Sequence, residues 1–310
     1  MSNPNFPNNL DIEPSTPSFV QENEGLEPYN HKSQKQAIER FGIAGRVWEA
    51  AYILNAYTSV NPPQNLIFDP PFRKQGRVEK FRIIELGSGS GIVGINIARS
   101  LEPQRDLLIL TDLPEVCSLL ESNLEDAFLD QVLRNLVVVH PLAWGNSEHV
   151  NRIVSDLLTD QVSKEMVPLT HIVCSDLVYF PELLGPLLRT LIELSSPPFA
   201  GPELTVLISY KIRSLAKETP FWAAFGLWFT FEPVLAREKT PDNSNSSWQR
   251  FGSALEGPMF IFVARRRPES LTWDVPLDDR NLLAGLGAYG TLQPKTDATF
   301  ETLLFMSVES

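Results

Sequence analysis

Residues 82–94, RIIELGSGSGIVG, decide the fold of this 310-residue chain. Ile83, Ile84 and Leu86 are typical of a buried parallel strand. From Gly87 to Gly91 every second residue is glycine, and the missing β-carbons permit a tight turn with exposed backbone. A second apolar run, starting at Ile92, predicts a helix that packs back on the sheet. A strand, a glycine turn and a helix N-terminus in this order predict a cradle for a nucleotide-like ligand.

Two glycine patterns compete in this loop. Gly89, Gly91 and Gly94 satisfy the G-x-G-x-x-G fingerprint of dinucleotide-binding proteins, which predicts an NAD(P)-dependent oxidoreductase. The alternative is E-x-G-x-G-x-G with Glu85 at the strand end, which resembles the first motif of the seven-β-strand methyltransferases that bind S-adenosylmethionine. The second interpretation is favoured, because two residues separate the strand from the first glycine of the dinucleotide pattern. A glycine-rich turn that binds no ligand is a third interpretation.

An aspartate ends the second predicted strand, which begins at Leu107. Asp112 lies 21 residues after Gly91. An ionised carboxylate accepts hydrogen bonds through two oxygens, so Asp112 can hold both ribose hydroxyls of a nucleoside. A turn or helix N-cap is the alternative role for such an aspartate. Its position after the glycine loop favours the ribose.

The composition describes an acidic protein. Lys and Arg number 26 and Asp and Glu 38, so the net charge is −12, and the pI is near 4.9. Nucleic-acid binding requires a basic face, so we expect no nucleic-acid partner, whereas a basic substrate is compatible. The run Arg265–Arg267 is interpreted as a solvated strand end. Cys117 and Cys174 form neither a disulfide framework nor a zinc set, so we expect inert thiols and no metal.

The chain divides by composition into three parts. Residues 1–30 are rich in Asn, Pro, Ser and Glu and are predicted to be disordered. Residues 31–264 form the predicted catalytic domain, and residues 265–310 form a C-terminal tail of unknown role. The N-terminus lacks the features of a signal peptide, and no apolar stretch approaches the roughly 20 residues that span a bilayer. We therefore expect a soluble monomer of the cytoplasm, with the nucleus as a second compartment and no membrane partner.

Alternating strand and helix patterns predict an α/β fold. Five strand–helix units and a terminal hairpin indicate a Rossmann-like, mostly parallel sheet with one antiparallel strand. This arrangement resembles the seven-stranded sheet of class I methyltransferases, and that resemblance implies that the last strand lies beside the fifth. The predicted strands cover residues 83–86, 107–110, 135–140, 169–175, 204–209, 228–235 and 258–264.

A second motif follows the fourth predicted strand. Residues 175–182 read SDLVYFPE, in which Asp176 and Tyr179 form a D-x-x-Y pattern. The carboxyl ends of parallel strands line the ligand crevice of an open sheet, so both side chains can face it. The alternative is that Asp176 caps the following helix and Tyr179 packs in the core.

This pattern resembles methyltransferase family 16, the protein-lysine methyltransferases of the methyltransferase-like 21 type. Three further segments match that family over roughly residues 40–264: RVWEAA at 46–51, DLP at 112–114 and LAWG at 142–145. The resemblance implies S-adenosylmethionine as cofactor and a lysine of a protein, such as a translation factor or chaperone, as substrate. A module that binds the cofactor without catalysis is the further alternative.

The resemblance also implies roles for single residues. Asp176 would attract and orient the lysine ammonium, and Tyr179 would form a pocket wall with a hydroxyl acceptor. Trp48 and Trp144 would line the cofactor pocket, although core packing is the simpler role for each tryptophan. The predicted cofactor site comprises Trp48, Glu85, Gly87, Ser88, Gly89, Gly91, Asp112, Leu113, Trp144 and Ser175.

A competing catalytic motif occurs upstream. Residues 69–72 read DPPF, like the catalytic motif of methyltransferases that act on adenine or glutamine amines. Only 14 residues separate Phe72 from Gly87, which is short for the crossover that a permuted chain requires. Residues 61–75 are therefore interpreted as a proline-bearing loop.

Overall fold

The computed structural model describes residues 5–6, 10–16, 29–60, 66–73, 80–159, 163, 165–239, 247–253 and 258–306. In chain order the strands are β1 (Leu66–Asp69), β2 (Arg82–Leu86), β3 (Leu107–Asp112), β4 (Val137–Pro141), β5 (Leu169–Ser175), β6 (Ala200–Lys211), β7 (Phe229–Pro233), β8 (Leu235–Glu238), β9 (Gln249–Arg250) and β10 (Met259–Arg266). The helices are α1 (His31–Phe41), α2 (Glu49–Thr58), α3 (Ile92–Ala98), α4 (Cys117–Ala127), α5 (Gln131–Arg134), α6 (Ser147–Ile153), α7 (Pro181–Leu194), α8 (Leu215–Trp228), α9 (Asp279–Leu283) and α10 (Thr299–Met306).

Seven strands form one sheet in the order β4-β3-β2-β5-β6-β10-β7. β2 pairs with β3 and β3 with β4 in parallel. β10 lies between β6 and β7 and runs antiparallel to both, with Phe262 opposite Ile208. The predicted fold class is confirmed, including the insertion of the last strand beside the fifth of the predicted strands.

Burial on both faces explains the sequence of β2. Ile83, Ile84 and Leu86 are all 0% exposed, and Ile84 stands opposite Ile109 of β3. Parallel strands covered on both faces require continuous apolar runs rather than alternation. This is why the central strands were predictable from their sequence.

The segment around the DPPF motif is more ordered than predicted. The interpretation of residues 61–75 as a loop is wrong for Leu66–Asp69, which forms β1 in a three-stranded sheet of order β1-β8-β9. Phe68 packs edge-on against Tyr57, with ring centroids 5.4 Å apart. The Tyr57 hydroxyl donates to the Pro70 carbonyl at 2.9 Å. These contacts give the motif a packing role against α2.

The largely apolar sequence from Gly42 to Tyr57 predicts a single buried helix, and this prediction is wrong. A 3-10 turn covers Gly42–Gly45, and α2 begins only after Trp48. Gly42 has a φ of 59°, and a β-carbon on it would lie 1.8 Å from the Asn5 carbonyl oxygen. The close approach of Asn5 requires glycine at this position. The helix is interrupted further on, because the backbone of Arg46 and of Trp48 is extended.

The described residues divide into two compact units. Unit 1 falls within Met1–Leu142, Val173–Asp176 and Ala236–Trp248, and unit 2 within Ala143–Ile172, Leu177–Leu235 and Gln249–Ser310. The predicted division at residues 30 and 264 stays a prediction. Most of residues 1–30 lies outside the described residues, but Ser15 is 7% exposed and its hydroxyl donates to the Val47 carbonyl at 2.5 Å.

The C-terminal tail belongs to the core of unit 2. Phe300 of α10 is 1% exposed and stacks on Trp222 of α8, with ring centroids 4.9 Å apart. Its ring also lies 5.9 Å from that of Tyr210. A β-carbon on Gly226 of α8 would lie 2.2 Å from an Asp297 oxygen, so the tail docks directly on α8.

Two of the three consecutive arginines hold this tail. The interpretation of Arg265–Arg267 as solvated fits only Arg265, which is exposed. Arg266 lies 5.0 Å from the Trp228 ring and donates to the Ser270 hydroxyl, and burial lowers its pKa to about 10. Arg267 donates to the Gly226 carbonyl at 2.9 Å. The pattern is therefore structural at two of the three positions.

No helix in the described ranges is both long and apolar enough to cross a membrane. Within the same ranges, no group of three or more His, Cys, Asp or Glu side chains could hold a metal ion.

Candidate functional site

The glycine loop of unit 1 connects β2 to α3 and is hydrogen-bonded to the carboxyl end of β3. Gly87, Gly89 and Gly91 have φ values of 55°, 53° and 80°, which L side chains rarely adopt. The Ser88 amide donates to the Thr111 carbonyl at 2.9 Å, and the Thr111 amide donates to the Ser88 hydroxyl at 3.2 Å. The loop is thus fixed to the next strand by a reciprocal pair of hydrogen bonds.

Asp112 closes the loop from the end of β3. Its Oδ2 accepts from the Gly89 amide and its Oδ1 from the Leu113 amide, both at 2.7 Å. The side chain is partly exposed, and burial of much of it raises its pKa to about 6. Val116 is the N-cap of α4, so Asp112 does not cap that helix. Each carboxylate oxygen has a further lone pair, so the group can still accept hydroxyl donors.

Glu85 lies beneath the loop and is 1% exposed. Burial raises its pKa to about 8, and its Oε2 has no hydrogen-bond partner among the described residues. A β-carbon on Gly94 would lie 2.6 Å from this Oε2 and 2.2 Å from Leu110. Gly94 therefore serves helix–strand packing, which either cofactor would require. Because Glu85 offers a ligand almost no surface, its predicted contact with the cofactor stays a prediction.

The turn before α2 lies against the glycine loop. A β-carbon on Gly89 would lie 3.1 Å from the Ala44 carbonyl oxygen. The Trp48 indole donates to the Ile43 carbonyl at 3.1 Å, and the Arg46 guanidinium lies 4.5 Å from its ring. Trp48 is partly exposed, so it is not simply a core residue. The residues of this turn thus connect Trp48 to the loop within unit 1.

Ser175 ends β5, and Asp176 follows in an unusual conformation. Asp176 is 5% exposed and has a φ of 62°, a region in which Asp and Asn are the best tolerated non-glycine residues. Its helix-cap alternative is wrong, because Phe180 is the N-cap of α7. Such a conformation is often retained at functional sites. β5 is the neighbour of β2 in the sheet, which puts the end of β5 near the end of β2.

Trp144 and Tyr179 belong to unit 2. Trp144 lies in a loop held by two backbone donors: the Ala143 amide to His149 Nδ1 at 3.1 Å, and the Gly145 amide to the Thr190 hydroxyl at 2.7 Å. Tyr179 lies 4.8 Å from the Phe180 ring, centroid to centroid. Both predicted side chains are partly exposed, so neither is sequestered in the core.

Unit 1 therefore brings together much of the predicted cofactor site. Hydrogen bonds or close approaches connect the loop residues Gly87–Gly91 with Asp112, Leu113 and the turn before Trp48. Thr111 and Ala44 also belong to this arrangement, but the sequence does not identify them as site residues. Thr111 contributes backbone and hydroxyl hydrogen bonds, and Ala44 contributes only its backbone carbonyl. The individual ligand contacts of the site residues stay predictions.

The donors and acceptors present fit a nucleoside cofactor with a sulfonium group. A partly exposed carboxylate with spare acceptor capacity suits two ribose hydroxyls. Beside it, positive-φ glycines bring backbone close without β-carbons, and Trp48 offers an aromatic face to a cation.

Comparison with known proteins gives a consistent set of relatives. The sequence profile of the family described as lysine methyltransferase matches residues 30–224, more than half of the chain. Protein N-lysine methyltransferase METTL21A of Xenopus tropicalis is 27% identical over 213 residues, 68% of this chain and 80% of that protein. EEF1A lysine methyltransferase 3 of Mus musculus is 31% identical over 175 residues, 56% of this chain and 59% of that protein. Among solved structures, the mitomycin 7-O-methyltransferase MmcR is 9% identical, covers 78% of this chain and 60% of that chain, and has a TM-score of 0.42.

Proposed function

Because this chain belongs to the lysine methyltransferase family, we infer that it transfers a methyl group from S-adenosylmethionine to a lysine side chain of a protein. The family match over residues 30–224 is the observation that carries this inference. It favours the methyltransferase pattern of the glycine loop over the dinucleotide pattern. The geometry of the loop alone fits both patterns. When bound, the cofactor supplies a methyl group already activated by a sulfonium sulfur.

Unit 1 supplies the cofactor's nucleoside contacts in this proposal. Asp112 accepts the two ribose hydroxyls while its bonds to the Gly89 and Leu113 amides keep the carboxylate fixed. Trp48 offers a ring face to the cofactor, and Ser175 offers backbone at the end of β5. A site formed before the ligand arrives loses little freedom on binding.

Asp176 and Tyr179 receive the lysine. A free lysine amine has a pKa of about 10.4, so the nitrogen must lose a proton to solvent before it can bond to carbon. Asp176 attracts and orients the incoming ammonium, and Tyr179 offers a hydroxyl acceptor that holds the nitrogen in line. Bound S-adenosylmethionine would supply the methyl group, and these two side chains would hold the neutral amine in line with it.

The variant Asp176→Asn tests this role. Asn tolerates the φ of 62° as well as Asp does, so the loop should keep its conformation while the charge is lost. We expect unchanged S-adenosylhomocysteine affinity by isothermal titration and at least a hundredfold loss of labelled methyl transfer to proteins of a cell extract, the order typical of a lost electrostatic contact. The exposed carboxylate Glu182 gives a matched control, Glu182→Gln, with wild-type transfer.

Each possible outcome is informative. Wild-type transfer by Asp176→Asn would remove Asp176 from the mechanism. If the wild-type chain binds S-adenosylhomocysteine but labels no protein, the chain is a binding module rather than an enzyme. Binding of NAD in place of S-adenosylhomocysteine would instead support an oxidoreductase.

The substrate proposal rests on charge and on the relatives. A net charge of −12 favours a protein with a basic surface around its target lysine. The mouse relative is named for EEF1A, and a translation factor or chaperone is our proposal for this chain. We further propose a cytoplasmic monomer that also enters the nucleus. Comparison of methyl-lysine in the proteome with and without the chain would identify the target, and sedimentation with cell fractionation would test the rest.

A further inference from the structure

A buried amide ties the N-terminal segment of unit 1 to the turn beside the glycine loop. Gln34 of α1 is 2% exposed. Its Oε1 accepts from the amides of Ser15 and Val47, each at 3.1 Å. Its Nε2 donates to the carbonyls of Ser15 at 2.9 Å and Tyr29 at 2.8 Å. An amide side chain has two donor hydrogens and two acceptor lone pairs, so all four are used and only one orientation satisfies them.

Ser15 adds a second set of bonds to the same cluster. Its hydroxyl donates to the Val47 carbonyl at 2.5 Å and lies 2.9 Å from the Tyr52 hydroxyl of α2. The backbone of Val47 is therefore held at both its amide and its carbonyl. We call the group Ser15, Gln34, Val47 and Tyr52 the Gln34 latch.

The same N-terminal segment reaches the beginning of the turn. The Ile43 amide donates to the Asn5 carbonyl at 2.9 Å, and Gly42 lies too close to that carbonyl to carry a β-carbon. The turn that contains Ala44 is thus fixed at Ile43 by Asn5 and at Val47 by the latch. Ser15 and Asn5 precede residue 30, where the family match begins.

The fixed turn is the one that lies against the glycine loop. The Ala44 carbonyl approaches Gly89, and Gly89 donates to Asp112. Trp48 follows Val47 directly and donates to the Ile43 carbonyl. A displacement of Val47 would therefore move both the turn against Gly89 and the predicted aromatic wall of the cofactor pocket.

We propose that Gln34 is a positioning residue for the cofactor site, acting through the latch to hold residues 43–48 against the glycine loop. The inference rests on the proposed S-adenosylmethionine-dependent function. A latch of purely structural use would lower stability and leave the affinity of the folded protein for cofactor unchanged. A positioning role lowers that affinity in protein that is fully folded.

The full-length variant Gln34→Met keeps the length of the side chain and removes all four hydrogen bonds. We expect S-adenosylhomocysteine to bind at least about fivefold more weakly by isothermal titration, the order of one lost buried hydrogen bond. Circular dichroism at the titration temperature should confirm a folded protein. Hydrogen exchange should rise in residues 43–48. Gln36→Met, at an exposed position of the same helix, is the matched control and should bind as wild type does.

Affinity within twofold of wild type in folded Gln34→Met would overturn the proposal, even with faster exchange. Should this variant fail to fold, Ser15→Ala decides, because it removes only the hydroxyl bonds to Val47 and Tyr52. Weaker binding by Ser15→Ala supports the latch, and unchanged binding refutes it. Failure of the wild-type chain to bind S-adenosylhomocysteine would refute the proposed function instead.

Discussion

Asp112 links the two halves of the cofactor cradle through one carboxylate. Each oxygen accepts a backbone amide, one from the glycine loop and one from the residue after β3. Ionised acceptors make stronger hydrogen bonds than neutral ones, so the negative charge of Asp112 holds the loop as well as any ligand hydroxyl. Protonation should therefore weaken both functions together.

Cofactor affinity should depend on pH through Asp112. Burial raises its pKa to about 6, so the carboxylate becomes protonated as the pH falls through that value. We expect S-adenosylhomocysteine affinity to be constant above about pH 7 and to fall below about pH 6. Asp112→Asn should bind S-adenosylhomocysteine about tenfold more weakly, because its amide nitrogen faces one of the two backbone donors. The variant should also lose the pH dependence, because Asn does not titrate. Titrations across the pH range, with exposed Asp130→Asn as control, measure both effects; a wild-type curve that stays flat to about pH 5 would contradict the assignment.

Helix α8 shows how the C-terminal tail becomes part of a core. From Phe221 to Trp228 its sequence, FWAAFGLW, contains no charged residue, and Trp222 and Phe225 are both 0% exposed. A helix without a polar face must be covered all round. α10 supplies part of that cover, since Phe300 stacks on Trp222.

Truncation of Phe300 should therefore destabilise unit 2. Phe300→Ala removes a ring in contact with those of Trp222 and Tyr210, and we expect a loss of about 3–5 kcal/mol in the free energy of unfolding. Phe305, on the same helix, is 74% exposed, so Phe305→Ala should change it by less than about 0.5 kcal/mol. Urea unfolding of both variants provides the comparison. Equal stability of the two would show that α10 does not form part of the core.

Strands buried on both faces could be predicted from the sequence alone, whereas features that depend on contacts between distant parts of the chain could not. The apolar run of β2 and the glycines after it require no knowledge of neighbours. The break before Trp48 lies at Val47, whose amide and carbonyl bond to Gln34 and Ser15, and no local pattern records these distant contacts. α8 did carry a usable signal, because an apolar helix with no polar face predicts a further covering element such as the tail. Asp112 was predicted as an acceptor, but its bond to the Gly89 amide depends on the parallel pairing of β2 and β3.

The whole molecule carries a net charge of −12 yet places a carboxyl group in its interior. Glu85 is buried, and its Oε2 finds no hydrogen-bond partner among the described side chains and backbone groups. Ionisation there is opposed first by desolvation and then by the negative charge of Asp112. The folded chain thus holds Glu85 neutral over a pH range in which the unfolded chain ionises it.

Stability should consequently fall as the pH rises. The pKa of Glu85 rises from 4.5 to about 8 on folding, so its contribution is complete below about pH 4.5 and is lost as the pH rises to about 8. Over that interval the folded chain binds about one proton more than the unfolded chain. The free energy of unfolding therefore falls by about 1.4 kcal/mol for each unit of rising pH. Glu85→Gln keeps the shape of the neutral side chain and should remove this part of the pH dependence. The free energy of unfolding of the variant should therefore exceed that of wild type most clearly near pH 8. Urea unfolding from about pH 5 to about pH 8 measures this, with exposed Glu125→Gln as control, and parallel curves for wild type and Glu85→Gln would mean that Glu85 is ionised in the folded chain.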